Sequence, residues 1–138
     1  MVTLINKTKD MITGNESPNS FSLKARLKSF RYAFEGLTGF FAAEHNAIIH
    51  LCITIFAFIA AAFFGVSKGE WIAIILATGF VWVTELFNTA IERLSDIVSK
   101  DFHPGIKFTK DVSAAAVLVA AATAFLTGAI IFLPKILR

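Results

Sequence analysis

Glu85, Asn88, Glu92 and Asp96 carry the clearest chemistry in this chain. They are spaced by three, four and four residues, and at about 100° per residue they fall within roughly 80° of one another on one helical face. The stripe emerges from the end of a long apolar run that starts near Glu70 and ends around Ala90. An acid at membrane depth is costly unless it is paired, hydrated or bound to a cation, so Glu85 reads as a functional side chain. Glu92 and Asp96 taken alone would also suit a helix end surfacing into water.

Three further residues belong with the stripe. Glu44 sits just before the first apolar block, and Lys110-Asp111 sit at the start of the last one. In a three-span topology these groups and the outer members of the stripe share one membrane face. Mg²⁺ favours one or two carboxylates plus substrate phosphate oxygens, a set that Glu44 and Glu92 can supply. Lys110 would then offset phosphate charge, helped by the positive end of the helix it opens. Glu85 lies seven residues before Glu92, about 10 Å deeper along the helix, where it would meet a lipid hydroxyl as a general base rather than a soluble acceptor. No GxxxxGK[ST] loop is present, and Gly36-Leu37-Thr38-Gly39 is too short to stand for one, so any nucleotide site is of another design.

The elements that position these residues follow from composition. The chain has 138 residues, room for one domain, and 56% are hydrophobic, gathered in blocks with most of the 15 Phe in or beside them. That pattern reads as an all-α integral membrane protein. A net charge of +3 is too small and too dispersed for nucleic-acid binding. The single cysteine, Cys52, allows neither an intrachain disulfide nor a cysteine metal cluster and is expected to be a packing residue.

Residues 1–21 read as a disordered polar tail, without the apolar core of a cleavable signal peptide. The membrane domain is expected over 22–138. Over 22–43, Leu23, Leu27, Phe30, Phe34, Leu37 and Phe41 recur every three or four residues among Lys24, Arg26, Lys28 and Arg31. This predicts an amphipathic surface helix on anionic headgroups. Spans are expected at about 45–66, 70–98 and 107–133. The first contains His50, expected to be hydrogen-bonded near the headgroups rather than to act as a ligand. Ser67-Lys68-Gly69-Glu70 reads as a tight turn, residues 99–105 with Pro104-Gly105 as a connector, and Pro134 as the closing breaker of the third span. Trp71 and Trp82 are interfacial or packing aromatics. The small residues of the third span, Ser113 to Ala116 and Ala120 to Ala122, permit close helix packing.

Charge sets the orientation. With the N-terminus inside, the inner side holds Lys7, Lys9, Lys24, Arg26, Lys28, Arg31, Arg93, Lys100, Lys107 and Lys110, and the outer side only Lys68, Lys135 and Arg138. The positive-inside rule therefore places the N-terminus and the site on the cytoplasmic side of a multi-pass protein.

Taken as a set, Glu44-x-Asn46, Glu85-Leu86-Phe87-Asn88-Thr89-Ala90-Ile91-Glu92 with Asp96, and Lys110-Asp111 ahead of Ala114-Ala115-Ala116-Val117-Leu118 resemble the small trimeric membrane diacylglycerol kinases of bacteria, which include the undecaprenol kinases. The likeness runs from about Lys28 to the C-terminus. It implies a homotrimer in the bacterial inner membrane that transfers the γ-phosphate of ATP to a lipid hydroxyl, of diacylglycerol or undecaprenol, with Mg²⁺. It also implies Glu85 as base and Glu44 with Glu92 as the Mg²⁺ pair. Asn88, Asp96, Lys110 and Asp111 match positions around the phosphates and the base, and Lys28, Tyr32 and His103 match positions near the nucleotide. The segment His45-Asn46-Ala47-Ile48-Ile49-His50 is closer to the undecaprenol branch, and a serine expected after the Lys-Asp pair in some members is displaced, with Ser113 followed by Ala114.

A non-catalytic cation or proton conductor could use the same acidic stripe as a pathway. It would want polar groups across the whole membrane, and the outer halves of the spans lack them. A structural anchor accounts for residues 22–43 but not for Glu85.

Overall fold

The computed structural model describes residues 22–137, without the side chains of Lys24 and Ala25. The tail expected over 1–21 lies outside the described residues. Within them the chain is helical: α1 Leu23–Ala43, α2 His45–Phe63, α3 Lys68–Val98 and α4 Pro104–Ile136. The last three are each long and apolar enough to cross a membrane.

The chain divides between Leu37 and Thr38. In the first part, Lys28 Nζ and the Arg31 guanidinium lie 5.6 and 5.5 Å from the centre of the Tyr32 ring, and Arg31 pairs with Glu35 one turn on. Leu23, Leu27, Phe30 and Phe34 are exposed there.

From Thr38 onward, packing determines how the spans begin and end. α1 stops at Ala43 and α2 starts at His45, leaving Glu44 alone in extended conformation, with φ −113° and ψ 113°. Its side chain makes no capping bond to α2, so the carboxylate is available elsewhere. α2 ends at Phe63, three residues before the expected 66. Gly65 adopts φ 61°, a left-handed conformation that glycine takes at little cost. That lets Val66 N bond Ala61 O at 3.1 Å and Gly65 N bond Ala62 O at 3.3 Å, the Schellman closure.

The stretch expected as a turn, Ser67 to Glu70, is instead the cap and first turn of α3. Ser67 Oγ accepts from Glu70 N at 3.3 Å, and Glu70 Oε2 accepts from Ser67 N at 2.6 Å. This reciprocal box starts the helix at Lys68 rather than near residue 70. The third span likewise starts at Pro104, not 107. Proline suits the first helical position because its missing N–H would have no partner there, and His103 Nδ1 accepts from Gly105 N at 3.1 Å as the cap. Pro134 does not close α4, which runs on to Ile136.

α3 packs mainly against α4 and less extensively against α2. At the α2–α3 turn, Ala61, Val66, Ile74 and Ile131 form a buried cluster, with Phe64, Trp71, Ala73 and Phe132 packed on it. Lys135 Nζ reaches Glu70 Oε1 at 3.3 Å there, tying the end of α4 to the start of α3. In lipid, such burial stabilises through dispersion contacts rather than by removal from water. Only one face of the small-residue run is used: Ser113 and Ala120, two turns apart on α4, are buried, whereas Ala114, Ala115 and Ala116 are exposed. Cys52 is exposed rather than packed, because α2 turns Ala47, His50, Thr54 and Ala61 inward and Cys52 lies off that stripe.

Candidate active site

α3 carries the acidic stripe, and each member meets a different neighbour. Deepest is Glu85, 5% exposed. Its Oε1 lies 2.7 Å from His50 Nε2 of α2. Three residues earlier on α3, Trp82 donates its indole Nε1–H to Thr54 Oγ1 at 3.1 Å, which makes it a packing aromatic. Phe40 and Phe41 lie against its ring with centroids 6.3 and 5.5 Å away. Glu85 therefore sits beside an aromatic cluster and holds one strong polar partner.

One turn along α3, Asn88 connects two helices. Its Oδ1 accepts from Ser113 Oγ of α4 at 2.7 Å, and its Nδ2 donates to Glu92 Oε1 at 3.1 Å. A carboxylate accepts only and a hydroxyl can donate, so the two contacts together fix which way the amide faces. The Ser113 proton has a second acceptor, the Lys110 carbonyl oxygen at 2.8 Å. Glu92 is thus braced through Asn88 and Ser113 against the backbone of α4. Ser113 was not singled out for this role in the sequence. Its position three residues after Lys110, on the face that later carries Ala120, was the available signal.

Towards the end of α3, Lys110 Nζ donates to Asp96 Oδ1 at 2.6 Å, joining α4 to α3. Arg93 Nη2 lies 3.5 Å from Glu44 Oε1. That long pair draws the carboxylate at the α1–α2 break towards the turn of α3 that bears Glu92. Since α4 begins at Pro104, Lys110 lies nearly two turns inside it. The helix-end field fades within the first turn, so the positive helix end expected to assist Lys110 lies too far from it.

Contacts thus join Glu92, Asn88, Ser113 and the Lys110 backbone, join Lys110 to Asp96, and bring Glu44 to Arg93, the residue that follows Glu92. Glu85 shares the helix but pairs separately with His50. Asp111 pairs with Lys107 on its own helix, and His103 caps α4. Lys28 and Tyr32 stack on each other in the part of α1 before residue 38. Among the described residues no cluster of three His, Cys, Asp or Glu side chains forms a ready-made metal cage. The hard oxygens of Glu44 and Glu92 nonetheless fit a cation that takes the rest of its ligands from substrate phosphate and water.

Three long apolar helices with a polar network along the C-terminal half of α3 define a multi-pass helical membrane protein. The family profile described as prokaryotic diacylglycerol kinase matches residues 31–132. The chain belongs to that family of lipid kinases. It is 36% identical to the undecaprenol kinase of Bacillus subtilis over 109 residues, 79% of this chain and 89% of that protein. It is 35% identical to a diacylglycerol kinase of Synechocystis over 112 residues, 80% of this chain and 64% of that protein. With a diacylglycerol kinase of Pseudomonas aeruginosa it shares 34% identity over 122 residues, 85% of this chain and 98% of the other.

Proposed function

We propose that this chain transfers the γ-phosphate of ATP to the hydroxyl of a membrane-embedded lipid alcohol, diacylglycerol or undecaprenol, with Mg²⁺. The observation that carries the reading is the separation of Glu85 from the rest of the stripe. Glu85 is buried in a spanning helix beside aromatic rings, while Asn88, Glu92, Asp96 and Lys110 form a network between Glu85 and the end of α3. The deep carboxylate suits a lipid hydroxyl, and the network suits phosphates approaching from water.

In the reaction Glu85 takes the hydroxyl proton as the lipid oxygen attacks the γ-phosphorus. The bond to the β-phosphate oxygen breaks with its electron pair leaving on ADP. Lys110, positioned by Asp96, keeps two further N–H donors for phosphate oxygens. Glu44 and Glu92 would hold Mg²⁺, and Asn88 keeps the Glu92 carboxylate oriented. Bound there, the ion would neutralise charge on the transferring phosphate. Asp111 and His103 complete the nucleotide side in this reading. The working form is a homotrimer in the bacterial cytoplasmic membrane with its site facing the cytoplasm. The excess of Lys and Arg on that side and the many large apolar side chains exposed on α2 and α4 support this.

The test is transfer of radiolabelled γ-phosphate in proteoliposomes offering diacylglycerol and undecaprenol side by side. Wild-type protein should label one of the two in the presence of Mg²⁺. Glu85→Gln should lose about 10²-fold or more in turnover, the usual contribution of a general base. Wild-type turnover in Glu85→Gln would remove the assignment.

A further inference from the structure

We infer that His50 is the positioning residue for Glu85, setting which carboxylate oxygen is free to take the proton from the lipid. The inference rests on the reading of Glu85 as the base.

A base must present an acceptor-only carboxylate, so in this reading His50 Nε2, 2.7 Å from Glu85 Oε1, carries the proton and donates. This single bond occupies Oε1 and leaves Oε2 for the acceptor hydroxyl. The contact also reaches across two helices, where it can be held rigidly. As α2 advances one turn from His50 to Thr54, α3 retreats by nearly a turn from Glu85 to Trp82, and Thr54 accepts from Trp82 at 3.1 Å. The two cross-helix bonds therefore belong to one antiparallel register.

The imidazole is oriented as well as tethered. Its ring stands edge-on to Trp82, with centroids 6.4 Å apart and an interplanar angle of 69°. Trp82 is in turn held by Phe40, Phe41 and Thr54. A freely rotating carboxylate in an apolar span would present its lone pairs at many angles, whereas Glu85 is held with one oxygen committed. His50 gains and loses no atom in the reaction. The lipid O–H breaks, its proton passes to Glu85 Oε2, and the O–P bond forms as the bond to ADP breaks.

The experiment measures kcat and both KM values in proteoliposomes for His50→Ala, His50→Gln, His50→Asn and Glu85→Gln. A glutamine amide nitrogen reaches the place of Nε2, and an asparagine falls one carbon short. His50→Ala and His50→Asn should lose about 10- to 100-fold in kcat, the scale of a misplaced reacting group, with KM for ATP and lipid within about twofold of wild type. His50→Gln should recover most of that loss. In the Glu85→Gln background His50→Ala should add nothing, because it acts only through Glu85. Equal turnover in the Gln and Asn variants overturns the inference even if the Ala variant fails to assemble. Wild-type kcat in His50→Ala beside an inactive Glu85→Gln also overturns it, and leaves Glu85 as the base. Wild-type turnover in Glu85→Gln, by contrast, overturns the reading of the base itself.

Discussion

The Ser113–Asn88–Glu92 connection makes an asymmetric prediction. Ser113→Ala removes the donor to Asn88 Oδ1 and leaves that half-buried oxygen without its 2.7 Å partner. Asn88→Leu removes the amide, but Ser113 still has the Lys110 carbonyl oxygen at 2.8 Å, and the half-exposed Glu92 can turn to water. The smaller change should therefore cost more stability. A buried polar atom left unpaired costs about 1–3 kcal/mol, and side-chain hydrogen bonds in membrane bundles average about 0.6 kcal/mol with a maximum of about 1.7. About 1 kcal/mol is expected for Ser113→Ala in the wild type, and about zero in the Asn88→Leu background. The kinetic order is reversed, because Asn88 touches Glu92 and Ser113 does not. If Asn88→Leu withdraws about 0.6–1.7 kcal/mol of bracing from the cation-binding form of Glu92, the Mg²⁺ concentration for half-maximal activity rises about 3- to 18-fold. Reversible unfolding in mixed micelles and a Mg²⁺ titration of lipid phosphorylation measure the two effects. Equal cost of Ser113→Ala in both backgrounds, or an unmoved Mg²⁺ requirement in Asn88→Leu, would refute the reasoning.

Lys110→Met should lower kcat/KM for ATP by about 10²-fold, the scale of a lost charge-stabilising donor. Its stability should change by under about 1 kcal/mol, because its partner Asp96 is exposed. ATP kinetics unchanged from wild type would count against its role. His103→Ala should cost about 1 kcal/mol through loss of the α4 cap, whereas His103→Asn keeps a capping side chain. A raised KM for ATP in the Asn variant at unchanged Tm isolates a nucleotide contact, and equal Tm losses in the two variants would show that asparagine does not replace the cap. Ser67→Ala breaks the box that starts α3 and should cost about 1 kcal/mol without altering kcat, since roughly 38 Å of helix separates it from Glu92. A fall in kcat larger than the loss of folded protein would contradict that independence.

Periodicity exposed the three spans and the acidic face, because both are properties of one helix at a time. Glu85 stood out for the same reason: an acid inside an apolar run is conspicuous whatever surrounds it. Pairings across helices were not legible. His50 looked like a headgroup residue because its distance from the start of α2 was visible and the register of α2 on α3 was not. Ser113 looked like one of several small residues, and only packing separates it from the exposed Ala114. The helix ends were misread where one residue type has two local uses. Pro104 has the character of a breaker but opens a helix, and Ser67-Lys68-Gly69-Glu70 has the polarity of a turn but the Ser-x-x-Glu spacing of a capping box.

The distribution of polar groups along the spans separates the phosphotransfer reading from a conduction path. On the C-terminal half of α3, side chains bond from helix to helix: Trp82 to Thr54, Glu85 to His50, Asn88 to Ser113 and Asp96 to Lys110. Several threonine hydroxyls turn back on their own helices, Thr84 in this half of α3 among them. Thr78 donates to Ile74 O, Thr123 to Val119 O and Thr127 to Thr123 O. A hydroxyl satisfied by its own backbone has its proton committed and is a poor stepping stone for an ion or a proton. Conduction needs exchangeable partners at every depth, whereas a kinase acting on a membrane lipid needs them only from the depth of the acceptor hydroxyl to the water. Apart from the Lys135–Glu70 pair at the far end of the helix, the cross-helix polar contacts of α3 cover that shorter interval, ending inward at Trp82–Thr54.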